Sequence, residues 1–191
     1  FETVSGFTTT GATVITNIEV QPLGILFWRS FTHWLGGMGI IVFTLAVLPA
    51  LGLGTMRIFQ AESPGPAPTK LVPRVDQTAK LLYGIYIGLT ILQIGALKVA
   101  GMSWFDSFTH TFATMGTGGF STRNASVAAF SNPYAEWIIT LFMFISGVNF
   151  SLYYGVIRKK MGVLLGDDEF RFYWGTVITA SLLIVLNIAS L

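Results

Sequence analysis

The 191-residue chain contains no cysteine, and only 10% of its residues carry a charged side chain. The absence of cysteine excludes disulfides, thiolate metal sites and cysteine nucleophiles. Scarce charge, with 52% hydrophobic residues and a mean hydropathy of +0.66, is typical of a membrane protein. The net charge of +2 says little about partners, and we expect no nucleic acid among them. The chain starts at Phe1 and has no signal peptide, so we expect a fragment of a longer protein.

Four long stretches contain no Asp, Glu, Lys or Arg: residues 30–56, 81–97, 137–157 and 172–191. About 20 apolar residues span a bilayer core of roughly 30 Å, so these stretches predict four transmembrane helices in contact with the lipid bilayer. The stretch from Leu81 is the shortest, but Lys80 and Lys98 at its ends can snorkel and lengthen the span. The expected fold is therefore an all-α, multi-pass integral membrane protein.

Two further segments are too short to cross a bilayer. Residues 104–115 would form a helix about 18 Å long, little more than half the bilayer core, and residues 1–8 occupy the same place in an earlier copy. Each is followed by a Thr-Gly phrase, and the two phrases lie 107 positions apart. Lysines and arginines concentrate in the opposite connections, which puts both phrases near the outer face. Non-helical backbone at membrane depth is tolerated where it lines a watery cavity, so two re-entrant half-helices with pore loops are predicted.

The residue types in these loops are those that a cation filter needs. Backbone carbonyls replace the water shell of an alkali cation without trapping it, and glycine bends the chain so that carbonyls point the same way. We expect potassium-binding carbonyls at Thr9, Thr10, Gly116 and Thr117, with bends at Gly11 and Gly118. The filter would be supported by Ala12, Thr13, Gly119 and Phe120. Potassium is then a substrate, and no covalently bound cofactor is expected.

The order of elements predicts repeats of helix, pore loop and helix, the architecture of potassium channels. Residues 1–49 would hold the half-helix, filter and inner helix of a first repeat, and residues 79–160 a complete second repeat. Residues 172–191 would be the first helix of a third repeat. Cytoplasmic linkers are expected at 50–78 and 161–171.

Five stretches resemble the potassium-translocating subunit of the Trk/Ktr/HKT superfamily. Residues 5–13, 27–39 and 113–122 resemble the superfamily, and residues 61–66 and 168–171 resemble its bacterial Trk branch. The resemblance covers essentially the whole chain. It implies four repeats around one pore, potassium uptake across the cell (inner) membrane, a homodimer and a cytoplasmic nucleotide-binding regulatory subunit.

Other functions stay open at this point. A sodium or mixed monovalent cation transporter of the same family is the first alternative, although Gly11 in the first filter favours potassium. A non-conducting membrane scaffold would need neither half-helix. An intramembrane enzyme is disfavoured, because the long apolar runs contain no Asp or Glu. His33 and His110 are interpreted as structural, hydrogen-bonded residues, and Arg29 is expected to pair with Glu2 or Glu19.

Overall fold

The computed structural model describes residues 1–39, 72–148, 152–153, 156 and 166–189, which fall into two compact units, Phe1–Ser146 and Gly147–Leu191. Every regular element in these described ranges is helical. The helices are α1 (Glu2–Phe7), α2 (Leu23–Gly37), α3 (Val72–Val99), α4 (Trp104–Met115), α5 (Pro133–Ser146) and α6 (Asp168–Ala189), with a 3-10 turn at Ser126–Phe130.

The half-helix predicted at residues 104–115 is present as α4 with those same ends. Its start is fixed by a reciprocal cap: the Ser103 hydroxyl accepts from the Asp106 N–H at 3.0 Å and donates to the Asp106 carboxylate at 2.7 Å. This arrangement satisfies a free N–H of the first turn and fixes the carboxylate there. The earlier half-helix, α1, is shorter, at 6 residues.

Two helices begin inside the predicted cytoplasmic linkers, whose boundaries stay predictions. Helix α3 has 28 residues and begins at Val72, inside the predicted linker 50–78, and α6 begins at Asp168, inside the linker 161–171. The prediction equated a helix with its charge-free run, but a helix continues into water wherever its polar residues favour it. Pro73 suits a first helical turn, and Asp168 and Glu169 complement the positive end of the α6 dipole.

Two of the four predicted transmembrane helices are described along their length. Lys80–Val99 in α3 and Asp168–Ile188 in α6 are long and apolar enough to cross a membrane, with mean hydropathies of 1.5 and 1.4. Little of either apolar stretch is buried inside the protein, 22% and 0% respectively, so their surfaces suit a lipid environment. The predicted helices at 30–56 and 137–157 lie partly outside the described residues.

In the first unit α4 packs against α2, α3 and α5, while α1 packs against α2. A small apolar core of Leu97, Met102, Ala135 and Ile139 joins α3 and α5.

Most polar residues of α4 are buried as well. The hydroxyls of Ser107, Thr109 and Thr114 each donate to a backbone carbonyl four residues earlier, at 2.8, 3.0 and 2.7 Å, which satisfies them inside the protein. The Thr111 hydroxyl is buried without a partner in the described residues.

Candidate functional site: two pore loops in contact

The loops that follow α1 and α4 have the same backbone conformation. Thr9 and Thr117 adopt positive φ angles of 53° and 54°, and Gly11 and Gly119 adopt φ angles of 74° and 88°. A β-branched residue rarely occupies this left-handed region, so each loop stores backbone strain at its threonine. The same bend pattern therefore occurs twice, 108 positions apart.

The hydrogen bonds repeat at the same offset. The N–H of Thr10 donates to the Ser5 carbonyl at 3.0 Å, and the N–H of Gly118 donates to the Ala113 carbonyl at 3.0 Å. Those carbonyls also face the N–H groups of Gly11 and Gly119, at 3.5 and 3.3 Å. In each loop, two successive N–H groups therefore point to one carbonyl in the last turn of the preceding half-helix.

This equivalence corrects the register predicted from sequence. The sequence prediction used an offset of 107, which paired Gly11 with Gly118 as the two bends. In the structure the positive φ angle occurs at Gly119 and not at Gly118, so Gly119 is the counterpart of Gly11. Gly118 is instead equivalent to Thr10. The prediction aligned the two loops by their shared Thr-Gly pair. The second loop has two glycines after its threonine, and the bend lies at the second of them.

The structure brings the two loops into contact. A Cβ built on Gly11 would overlap the carbonyl oxygen of Gly118, so the backbones meet without room for a side chain. Thr10, Thr117 and Gly119 are exposed on this surface, and Thr9, Gly11 and Gly118 are half-buried. Gly116 is buried, and a Cβ there would overlap the His33 carbonyl oxygen.

Ala12 and Thr13, two of the predicted support residues, are hydrogen-bonded to α1. After the first loop, Ala12 accepts a hydrogen bond from the Ser5 hydroxyl at 2.6 Å, and Thr13 donates to the Glu2 carboxylate at 2.9 Å. The same carboxylate oxygen accepts from the Val14 N–H at 2.8 Å. Partial burial raises the pKa of Glu2, but the hydrogen bonds from Val14, Arg29 and Thr13 outweigh it and leave that pKa below its usual value.

The second loop is also tied to its half-helix by a hydrogen bond from the segment after its bend, but with different side chains. We call each of these two links a strap. The His110 Nε2 lies 3.0 Å from the Ser121 hydroxyl, and His110 and Ser121 are the counterparts of Glu2 and Thr13. Next to it, Thr122 donates to the Asp106 carboxylate at 2.7 Å. The interpretation of His110 as a hydrogen-bonded structural residue is confirmed. A polar residue in each half-helix, eleven positions before a Thr or Ser, is the sequence signal that marks both straps.

Helix α2 contacts both loops. Arg29, only 3% exposed, donates from Nε to the Glu2 carboxylate at 2.6 Å, which confirms the expected ion pair. Its guanidinium lies over the Phe120 ring, 4.1 Å from the ring centre, and the His33 ring is stacked on Phe120 at 4.0 Å. Neither buried ring nitrogen of His33 has a hydrogen-bond partner in the described residues, so the prediction of a hydrogen-bonded His33 is wrong and the residue makes packing contacts instead. A Cβ at Gly118 would overlap its ring.

Two adjacent glycines let α2 approach the half-helices closely. A Cβ at Gly36 would overlap the Phe7 carbonyl oxygen at the end of α1. A Cβ at Gly37 would lie 2.7 Å from the Gly116 α-carbon and 2.7 Å from the Tyr86 hydroxyl. Small residues at helix interfaces in membranes allow such backbone contact. Helix α2 therefore packs against the end of α1 and against the loop that follows α4.

Apolar helices, two half-helices that end in equivalent strained loops, and a further helix packed against both half-helix segments define a membrane protein of the pore-loop class. Comparison with known families agrees. A family model described as cation transport protein, TrkH, matches residues 1–190, and the chain belongs to this family.

Two curated proteins and one solved structure are similar to this chain over almost all of its length. It is 45% identical over 181 residues to the Trk system potassium uptake protein TrkH of Escherichia coli strain K12, covering 94% of this chain and 38% of that protein. It is 44% identical over 191 residues to the protein of the same name from Halomonas elongata, covering 99% and 39%. The crystal structure of the potassium transporter TrkH from Vibrio parahaemolyticus matches with a TM-score of 0.75 and 38% identity, over 100% of this chain and 39% of that one. The chain thus spans about two fifths of the length of these relatives.

Proposed function

We propose that the two loops are two walls of the selectivity filter in a potassium-uptake pore. The observation that carries this proposal is the backbone contact between Gly11 and Gly118, which joins two loops of the same conformation. Equivalent loops that meet through backbone can present carbonyl groups at equivalent heights around one axis. Such groups replace the hydration shell of a cation.

The proposed ion ligands are the carbonyls of Thr9, Thr10, Gly116 and Thr117, with Gly118 added as the counterpart of Thr10. Positive φ at both threonines and at Gly11 and Gly119, alternating with the residues between them, supports carbonyls that point the same way within each loop. The carboxyl end of α4 precedes its loop, and the negative end of that helix dipole favours a cation nearby. No fixed negative charge is required within the loops, so the ion can leave as well as enter.

The rest of the proposal concerns the complete protein. The relatives are named as potassium uptake proteins and are about two and a half times as long as this chain, so further filter walls would come from sequence outside it. We expect a transporter rather than an enzyme, potassium as substrate without a covalently bound cofactor, a homodimer, and a cytoplasmic nucleotide-binding regulatory subunit. Binding of that subunit is testable by co-purification from cells.

The test uses the full-length gene product that contains these residues, expressed in a host without potassium uptake systems. Wild type should restore growth at low potassium and take up potassium in preference to sodium. Gly11→Ser and Gly119→Ser should each reduce this preference, because serine resists the left-handed backbone at both bends. Gly24→Ser is the control, since nothing lies within 4 Å of a Cβ at that position in α2.

Two outcomes would contradict the proposal. Equal uptake of sodium and potassium by wild type would favour the alternative, a mixed monovalent cation transporter. Unchanged uptake and preference in both bend variants, at equal abundance in the membrane, would remove the filter assignment.

A further inference from the structure

We propose that Arg29 is a positioning residue that couples the two filter loops and so contributes to cation discrimination. The inference rests on the proposed function, because it concerns how the proposed filter keeps its shape. Arg29 touches neither set of proposed ion ligands. It acts through Glu2 on the first loop and through Phe120 on the second.

The link to the first loop is a partly buried, branched ion pair, in which Arg29 is 3% exposed and Glu2 20% exposed. Arg29 Nε donates to Glu2 Oε2 at 2.6 Å, and a terminal Nη donates to the Thr13 hydroxyl at 3.2 Å. Thr13 also donates to Glu2 Oε1 at 2.9 Å, so the three side chains form a closed ring of hydrogen bonds. Removing one partner of a buried pair leaves the other charge uncompensated, so this ring resists opening.

The ring fixes both ends of the first loop. Glu2 belongs to the first turn of α1, whereas Thr13 lies just beyond the Gly11 bend. With these two residues tied together, the strained stretch between them has little freedom to widen. Arg29 comes from α2, a separate helix, and therefore also fixes where the tied loop sits.

The link to the second loop is made by the flat face of the same guanidinium. Its Cζ lies 4.1 Å from the centre of the Phe120 ring, and Phe120 directly follows the Gly119 bend. Phe120 is 3% exposed, so this cation–π contact is desolvated, the condition in which such contacts are strongest. His33, one helical turn after Arg29, stacks on the same ring at 4.0 Å.

The Arg29 side chain thus contacts both loops: its N–H groups bond to Glu2 and Thr13 at the first loop, and the face of its guanidinium lies on Phe120 at the second. A shift of either loop would disturb the contact to the other. Selectivity depends on carbonyl positions that hold to fractions of an ångström, so loosening this coupling should admit sodium before it abolishes potassium uptake. Lysine would keep a positive charge, but it lacks the planar fork that serves both loops at once.

The test measures initial uptake rates of potassium and sodium by the full-length gene product at equal membrane abundance. Arg29→Gln is expected to lower the potassium-to-sodium ratio roughly tenfold, and Arg29→Lys by a smaller factor. Arg123→Gln is the matched control, because the exposed Arg123 guanidinium also lies over a ring, at 5.8 Å, but that ring belongs to Phe130 in the 3-10 turn and not to a residue next to a bend. It should leave the ratio unchanged.

A double-mutant cycle separates coupling from simple destabilisation. Glu2→Gln and Phe120→Leu each remove one contact of Arg29 and leave the protein with a similar volume at that position. With Arg29 present, their effects on the ratio should be non-additive, and in Arg29→Lys the non-additivity should shrink. This cycle decides the matter even if Arg29→Gln does not fold.

The results that overturn the proposal are specific. Additive effects of Glu2→Gln and Phe120→Leu, or an equal fall in the ratio with Arg123→Gln, would reject the coupling role. An unchanged potassium-to-sodium ratio in Arg29→Gln would also reject the coupling role. If wild type still preferred potassium in that case, the proposed function would stand. Failure of wild type to prefer potassium would instead reject the proposed function itself.

Discussion

The carbonyl oxygen of Gly118 occupies the space into which a side chain at Gly11 would project. These residues belong to two loops, and each loop follows its own half-helix. Their contact is made by backbone alone, so its spacing does not depend on any side-chain rotamer. A backbone contact of this kind sets a fixed distance between two loops.

Gly11→Ala should therefore be more damaging than Gly119→Ala. Both residues have positive φ, but only at Gly11 would the new Cβ overlap the other loop, since nothing lies within 4 Å of a Cβ at Gly119. We expect roughly tenfold slower potassium uptake for Gly11→Ala and a smaller reduction, from backbone strain, for Gly119→Ala. Initial uptake rates at equal membrane abundance measure both. Equal losses would show that strain, and not the contact, matters.

Helix α2 should tolerate alanine at one glycine and not at two others. Gly36→Ala and Gly37→Ala each place a Cβ against the backbone of a pore-loop segment, and such overpacking costs about 1–3 kcal/mol. Gly24→Ala in the same helix meets nothing within 4 Å and should be neutral, or stabilising by up to about 1 kcal/mol. Thermal unfolding of the purified protein in detergent compares the three. Similar midpoints for Gly36→Ala and Gly24→Ala would contradict the close approach.

Asp106 should contribute to the stability of α4 and the loop that follows it. Its carboxylate accepts hydrogen bonds from Ser103 at the helix cap and from Thr122 beyond the loop, at 2.7 Å each. Asp106→Ala leaves both hydroxyls without this acceptor, and we expect a loss of about 1–3 kcal/mol. Asp106→Asn keeps one acceptor oxygen and should lose less. The detergent unfolding midpoint, with Glu136→Gln on exposed α5 surface as the control, provides the measurement.

The architecture was more accessible from sequence than the details of the filter. The ends of α4 followed from its length and position, because a 12-residue segment between two polar outer connections is too short to cross a membrane. The start of α3 at Val72 did not follow, because charged residues were taken as the end of the helix when they continue it beyond the apolar stretch.

The register of the loops was the main error, and its cause is physical. Thr10 and Gly118 are equivalent although their side chains differ, because both use a non-strained φ and both donate to a carbonyl of the preceding helix. Backbone conformation is shared while side chains are not. The straps were missed for the same reason, since a carboxylate at Glu2 and an imidazole at His110 do not align by letter.

The two straps should make parallel contributions despite their different chemistry. Thr13→Val removes the hydroxyl that Glu2 binds, and Ser121→Ala removes the one that His110 binds. Each variant should lose about 1 kcal/mol of stability and some potassium preference, because the segment after each bend is no longer tied to its half-helix. Thr140→Val is the control, since the exposed Thr140 hydroxyl bonds only its own helix, to the Glu136 carbonyl. A loss of preference in the control equal to that of the straps would remove their special role.

The strained threonines offer the sharpest separation of stability from selectivity. Thr9 and Thr117 hold φ angles of 53° and 54°, a conformation that costs a β-branched residue about 1–3 kcal/mol. Thr117→Gly should relieve that strain and raise the detergent unfolding midpoint, or leave it unchanged where the gain is offset by the greater freedom of the unfolded chain. The same change gives the loop more freedom, so the potassium-to-sodium uptake ratio should fall. Thr117→Asn tolerates the left-handed conformation better than threonine and keeps more rigidity than glycine, so it should retain more preference. A lower midpoint together with an unchanged ratio in Thr117→Gly would mean that the threonine side chain stabilises the loop and that its rigidity does not discriminate between the ions.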